Sequence, residues 1–172
     1  MNLMQFSIFI ACCLLGGQAV ALTSDREQPF HIQADGAEID ESTGISVYRG
    51  RVNIDQGSMK LLADEIEIHT HNSEVIQIIA RMHDGNDNLA HYQQLPDENE
   101  ELITAEAREI NYFIQEERLH LIGKARLYQS PNSFEGELLH YDLQRGVVNL
   151  KGRESSDDGD GRINLILSPK KD

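Results

Sequence analysis

Tyr48-Arg49-Gly50-Arg51-Val52-Asn53-Ile54-Asp55-Gln56-Gly57-Ser58-Met59 is the stretch that decides the architecture. Tyr48, Gly50, Val52 and Ile54 alternate with Arg51, Asn53 and Asp55, the period of two of a half-buried strand, and Gln56-Gly57-Ser58 then reads as a turn. The same alternation returns in Leu119, Leu121, Gly123, Ala125 and Leu127 against His120, Lys124 and Arg126. Ile110, Tyr112 and Ile114 form a third set, and Ile163, Leu165 and Leu167 a last one. Turn signals at Ser42-Thr43-Gly44, Asp84-Gly85-Asn86, Ser130-Pro131-Asn132 and Arg145-Gly146 separate them, so the chain predicts an all-β sandwich, barrel or roll. Leu102 to Ile114 has the Ala, Glu and Arg content of a helix, but Ile110, Tyr112 and Ile114 share one parity and predict a strand. His91 to Glu101 and Glu154 to Gly161, polar and acidic, are expected to be loops, and residues 168–172 a frayed tail.

An internal repeat supports this reading. Ala34-Asp35-Gly36-Ala37-Glu38-Ile39 recurs as Ala63-Asp64-Glu65-Ile66-Glu67-Ile68 and as Ala105-Glu106-Ala107-Arg108-Glu109-Ile110. A looser copy is Gly136-Glu137-Leu138-Leu139-His140-Tyr141. Two larger halves match as well: Tyr48-Arg49-Gly50-Arg51-Val52 with Leu121-Ile122-Gly123-Lys124-Ala125, each running on to a glutamine, Gln56 or Gln129. Repetition of this kind predicts stacked strand pairs, each burying its apolar face against the next. Such a stack ends in strands whose backbone edges are open to another copy or a related partner.

At 172 residues the chain is long enough for one domain with a real core. Residues 1–21 carry no charged side chain, and Phe6 to Leu15 is an apolar run followed by Ala19-Val20-Ala21, a small-x-small cleavage pattern. This predicts secretion, with a cleaved signal peptide over 1–21 and a domain over 22–167. Cys12 and Cys13 both lie in that leader; Ala11-Cys12 as the end of a lipobox is the alternative. The remaining chain is cysteine-free, which excludes a disulfide framework and a thiol nucleophile. A formal charge of −14 makes nucleic acid a poor partner. The absence of Trp argues against a stacking groove for sugars or bases.

No motif for bond-making chemistry is present: there is no G-x-S-x-G, no phosphate loop and no thiol. Of the seven histidines only His69 and His71 are close, with no third ligand near them in sequence, so no metal is expected. Asp84-Gly85-Asn86-Asp87-Asn88 lacks the spacing of a calcium loop, and Asp157-Asp158-Gly159-Asp160 reads as a solvated loop. Asp64, Glu65 and Glu67 could form an acid/base pair, but they belong to the repeat, which favours a solvent-face role. Neither an enzyme nor a cofactor is expected. The apolar faces, with Tyr48, Val52, Ile54, Ile110, Tyr112, Ile114, Leu119, Leu121 and Leu127, are either ordinary core or the lining of a groove for acyl chains; periodicity leaves both readings open.

Three segments in order resemble the LptA/OstA family of periplasmic lipopolysaccharide-transport proteins. They are Asp25-Arg26-Glu27-Gln28-Pro29-Phe30-His31-Ile32, the stretch from Tyr48 to Met59 with Ala63-Asp64 after it, and Leu121-Ile122-Gly123-Lys124-Ala125-Arg126-Leu127-Tyr128-Gln129. The resemblance implies an open antiparallel β-jellyroll, OstA-like, that carries lipopolysaccharide with the lipid A acyl chains inside. It implies head-to-tail copies, an N-terminal edge meeting LptC and a C-terminal edge meeting LptD/LptE. The family's lipid-lining positions carry over to Phe30, Ile32, His91, Tyr92, Tyr112 and Ile114, with His91 standing where an aromatic is expected. With Tyr48, Val52 and Ile54 from the strand pattern, the candidate lipid-binding set is Phe30, Ile32, Tyr48, Val52, Ile54, Tyr92, Tyr112 and Ile114. The alternative is a structural scaffold that polymerises through strand edges without lipid.

Overall fold

The computed structural model describes residues 25–83, 85, 88–96, 101–153 and 161–169. The expected leader with Cys12 and Cys13, the carboxylates of the 84–87 turn, and the loop at 154–160 lie outside them. After a 3-10 turn at Asp25–Glu27, the strands are β1 (His31–Gln33), β2 (Gly36–Asp40), β3 (Ile45–Gln56), β4 (Met59–His71), β5 (Glu74–Arg81) and β6 (Ala90–Gln94). They continue as β7 (Ile103–Ala107), β8 (Glu109–Phe113), β9 (Arg118–Gln129), β10 (Asn132–Asp142), β11 (Val147–Lys151) and β12 (Asn164–Ile166). Every pairing is antiparallel. The all-β roll expected from the strand pattern is present, as the antiparallel jellyroll that the family resemblance implies.

Four long strands build it by serving two layers each. In the first layer the order is β2-β3-β4-β5-β8-β9-β10-β11, using residues 45–49 of β3, 65–71 of β4, 118–122 of β9 and 138–142 of β10. In the second it is β1-β3-β4-β6-β7-β9-β10-β12, using residues 52–56, 59–63, 125–129 and 132–136 of the same four strands.

The corner between the layers is a paired bulge. Gly50 and Arg51 of β3 stand opposite Asp64 alone, and Gly123 and Lys124 of β9 stand opposite Glu137 alone. All four bulged residues have positive φ, 81° and 45° in β3 and 77° and 52° in β9. An extra residue with a left-handed glycine is what bends and twists a strand most sharply. Gly50 is required twice over: a Cβ there would meet Asp35 Oδ2 at 2.6 Å. The two-against-one count keeps alternation intact through β3 and β9 but shifts it by one residue in β4, where Leu61 and Ala63 point inward and then Ile66 and Ile68.

The sequence repeat is this corner, with one correction. Asp35, Asp64 and Glu137 sit at equivalent places, Asp35 N donating to the Gly50 carbonyl at 3.0 Å. The third copy is shifted by two residues from the alignment above: Arg108, not Glu106, takes the corner position, donating its N–H to the Gly123 carbonyl at 2.9 Å. The expected strand from Leu102 to Ile114 is accordingly two strands, β7 and β8, broken at Arg108. A second correction concerns His91 to Glu101, read as a loop; β6 occupies Ala90–Gln94, where the polar Gln93 and Gln94 obscure the pattern. The segment resembling an N-terminal strand begins as the 3-10 turn and becomes strand only from His31.

Candidate functional site

Alternation directs one continuous apolar face into the space between the layers. In its middle, Ile54, Leu61, Ile66, Ile78, Tyr92, Ile110, Leu119, Leu121 and Leu139 are fully buried. Towards the corner the inward residues are alanines, Ala63, Ala80, Ala90, Ala105, Ala107 and Ala125, whose short side chains let the layers converge. Towards both sheet edges the same face runs out into solvent. At one edge Ile39 of β2 is 62% exposed, with Phe30, Ile32 and Tyr48 only half covered. At the other, Leu165 of β12 is 44% exposed, with Phe134, Val148 and Leu150 half covered.

The expected lipid-lining residues therefore separate into two groups. Val52, Ile54, Tyr92 and Tyr112 are packed in the centre, and Phe30, Ile32, Tyr48 and Ile114 are partly buried around it. His91 does not share Tyr92's side. It points outward, its Nδ1 3.5 Å from Glu106 Oε1, because neighbours on a strand face opposite ways. Asn111, on the outward parity of β8, is nonetheless only 8% exposed, bonded to Glu109 at 2.8 Å. The expectation that Ile163, Leu165 and Leu167 pack as a last strand is only half met. Leu165 has inward parity beside Phe134 but is exposed in the three-residue edge strand β12, and Ile163 and Leu167, which flank that strand, are exposed too. Sequence reasoning missed Ile39, Val148 and Leu150, whose short edge strands give too few periods to read.

Polar groups close the hairpin end of the interior. Gln56, 6% exposed, donates through Nε2 to the Gln28 carbonyl at 3.0 Å. The Asp25 carboxylate accepts from Ser58 N at 2.8 Å, Ser58 Oγ at 2.5 Å and Gln94 Nε2 at 3.3 Å. The Tyr92 hydroxyl bonds Gln94, and the Tyr141 hydroxyl donates to Gln129 Oε1 at 3.3 Å. Burial, reinforced by Tyr112, pushes the Tyr92 phenol well above its ordinary range. Among the described residues no buried side-chain polar atom lacks a partner.

The carboxylates of the repeat are engaged on the outer face. Arg81 reaches Glu67 at 2.9 Å, Glu109 at 3.0 Å and Glu65 at 3.7 Å, and Arg49 reaches Glu65 at 2.9 Å. His69 Nε2 lies 2.5 Å from Glu67. Arg81 first, then His69, holds the Glu67 carboxyl below its usual range. Asp64 accepts from His83 N at 3.2 Å. A cross-braced sheet surface of this kind specifies strand register rather than forming an acid/base site.

The described residues thus form an open β-roll with an apolar interior. Residues 31–147 match the family model described as LptA/(LptD N-terminal domain) LPS transport protein, and the chain belongs to this family. It is 35% identical over 173 residues to the lipopolysaccharide export system protein LptH of Pseudomonas aeruginosa, covering 99% of this chain and 96% of that one. It is 25% identical over 170 residues to LptA of Escherichia coli K12, covering 98% and 87%. The crystal structure of the Pseudomonas LptH, described as the LptA-homologous periplasmic component of the lipopolysaccharide transport device, superposes with a TM-score of 0.72. That match covers 86% of this chain and all of that one. The protein functions in lipopolysaccharide transport and is not an enzyme.

Proposed function

We propose that this protein is a periplasmic bridge: it holds the lipid A acyl chains of lipopolysaccharide against its inner face and passes the lipid from the inner to the outer membrane. The observation that carries this reading is the apolar inner face that runs uncovered to both sheet edges, from Ile39 at one to Leu165 at the other. Each methylene moved from water onto that face is worth about 0.8 kcal/mol, so several chains bind tightly without a charged contact. Chains enter at the half-covered edges and part the packed centre at Tyr92 and Tyr112. Copies join head to tail, LptC meets the β1/β2 edge, and LptD/LptE meets the β11/β12 edge, because unpaired backbone groups on edge strands accept a further strand.

Photo-crosslinking tests this. A probe at Tyr112 is expected to capture lipopolysaccharide, and a probe at the outward Lys124 is not. Capture at neither position, in a folded β-rich protein, would overturn the carrier. The fully packed centre favours one second reading, a scaffold whose interior is only core. Light scattering separates the two, since assembly of a scaffold is indifferent to lipopolysaccharide.

A further inference from the structure

The outer face near the β11 edge carries a groove of about 220 Å³ lined by Arg118, His120, His140, Tyr141, Asp142, Arg145, Val147 and Asn149. His120 and His140 are direct cross-strand partners, their rings stacked with centroids 3.9 Å apart. Two guanidinium and two imidazole groups line this groove with one carboxylate, Asp142, and Glu116 pairs with Arg118 beside it, in a chain whose net charge is −14. Arg49 and Arg81, by contrast, are each outnumbered, Arg49 by Glu38 and Glu65, Arg81 by Glu65, Glu67 and Glu109. Asp142 itself is occupied, accepting from Arg145 N at 2.9 Å. The Arg145 guanidinium, 77% exposed and 3.9 Å from Asp142, is free to turn into the groove, while Arg118 also touches Glu116. Burial first, and then the positive field of His140 and Arg118, holds the His120 imidazole below its ordinary value.

The groove shares a strand with the apolar interior. Along β11, Val148 pairs with Tyr141 and Leu150 with Leu139, on the inner face, while Asn149 pairs with His140 on the outer. One edge strand thus carries Val148 and Leu150 on the inner face and Asn149, beside the groove, on the outer.

We infer that this groove holds a phosphate of the glycolipid headgroup, reached round the β11 edge from acyl chains lying against Val148 and Leu150. This rests on the lipid-carrier reading above. A phosphate monoester suits the site: Arg forks and imidazole N–H groups donate to its oxygens, and Asn149 adds an amide donor.

The test follows the imidazole NMR signals of His120 and His140 in the full protein, with photo-crosslinking from Leu150 as an independent report on the interior. Glucosamine 1-phosphate and lipopolysaccharide are expected to shift both histidines. Chemically dephosphorylated lipopolysaccharide is expected to leave them unmoved while still crosslinking to Leu150. Arg118→Gln/Arg145→Gln should raise the apparent Kd for glucosamine 1-phosphate at least fivefold and keep the Leu150 crosslink. Equal shifts with dephosphorylated lipid overturn the inference, as does a Leu150 crosslink to intact lipid with silent histidines. A response to inorganic phosphate but not to lipopolysaccharide identifies a free-ion site and overturns it too. Loss of the Leu150 crosslink, with the glucosamine 1-phosphate response kept, defeats the carrier reading and the lipid assignment together, leaving a sugar-phosphate site.

Discussion

The rings of Tyr92 in β6 and Tyr112 in β8 meet edge to face, centroids 5.5 Å apart at 61°, and so tie one layer of the roll to the other across its centre. Edge-to-face aromatic pairs add about 0.5–1.5 kcal/mol beyond the area they bury. A lipid that parts the layers must break this contact. Tyr112→Ala is therefore expected to destabilise the free protein by about 3–5 kcal/mol in urea unfolding. If lipid replaces the lost packing, lipopolysaccharide should restore more of the melting temperature in the variant than in the wild type.

The corner glycines are not interchangeable. Gly50→Ala places a Cβ 2.6 Å from Asp35 Oδ2 at a φ of +81°, and a left-handed backbone alone costs about 1–2 kcal/mol for other residues. Gly123→Ala, at a φ of +77°, meets only the side chain of Arg108 at 3.1 Å or more and should cost less. Gly36→Ala has nothing within 4 Å and no positive φ, so its unfolding midpoint should move little. A thermal melt of the three variants gives the order directly.

Stability should fall in two steps as the solution is acidified. The folded protein holds the Glu67 carboxyl below its ordinary value of 4.5, chiefly through Arg81 and then His69. Its contribution is present above pH 4.5 and disappears as pH drops through the folded value. His120 is lowered from 6.5 by burial, His140 and Arg118, so the unfolded chain takes up its proton first, and stability declines as pH falls below 6.5. His120→Gln should flatten the upper step and Arg81→Gln the lower one, in urea midpoints measured across pH 3–8.

Exposed apolar residues at the edge predict assembly rather than stability. Ile39 is 62% exposed, so Ile39→Lys should change unfolding free energy by no more than about 0.5 kcal/mol. On the proposed head-to-tail assembly, the same substitution should shift light-scattering mass towards the monomer, because it sets a charge on the inward face where a further copy would dock.

Removing residues 24–32 releases more than an edge strand. It also cuts the Asp25 bonds to Ser58 and Gln94 and the Gln56 bond to the Gln28 carbonyl. The shortened protein is expected to stay β-rich by circular dichroism but to lose co-purification with LptC. Retained co-purification would count against docking through that edge.

Legibility followed strand length. The twelve-residue β3 and β9 read clearly because their bulges insert an extra residue without disturbing alternation. Their partners β4 and β10 lose parity at Asp64 and Glu137, so the period of two breaks there although the strands continue. Strands of five residues, such as β2, β6 and β11, offer too few periods to distinguish strand from loop. The central candidates Val52, Ile54 and Tyr112 were accessible as aromatic or branched residues on apolar faces, whereas Tyr92, in a stretch that reads as a loop, was reached only through the family resemblance. The outer groove was not, because His120 and His140 come together only through the β9–β10 register.

The same long strands have a kinetic meaning. β3 with β4, and β9 with β10, are each hairpins closed by a tight connection, at Gln56↔Met59 and Gln129↔Asn132. Each lays down a slice of both layers from contacts that are local in sequence, which avoids much of the loop-closure entropy that slows all-β proteins. Two such nuclei can then dock through β5–β8 and β6–β7, leaving β1 and β12 to join last. Conservative truncations inside the hairpins should slow refolding, whereas those in the terminal strands should mainly speed unfolding.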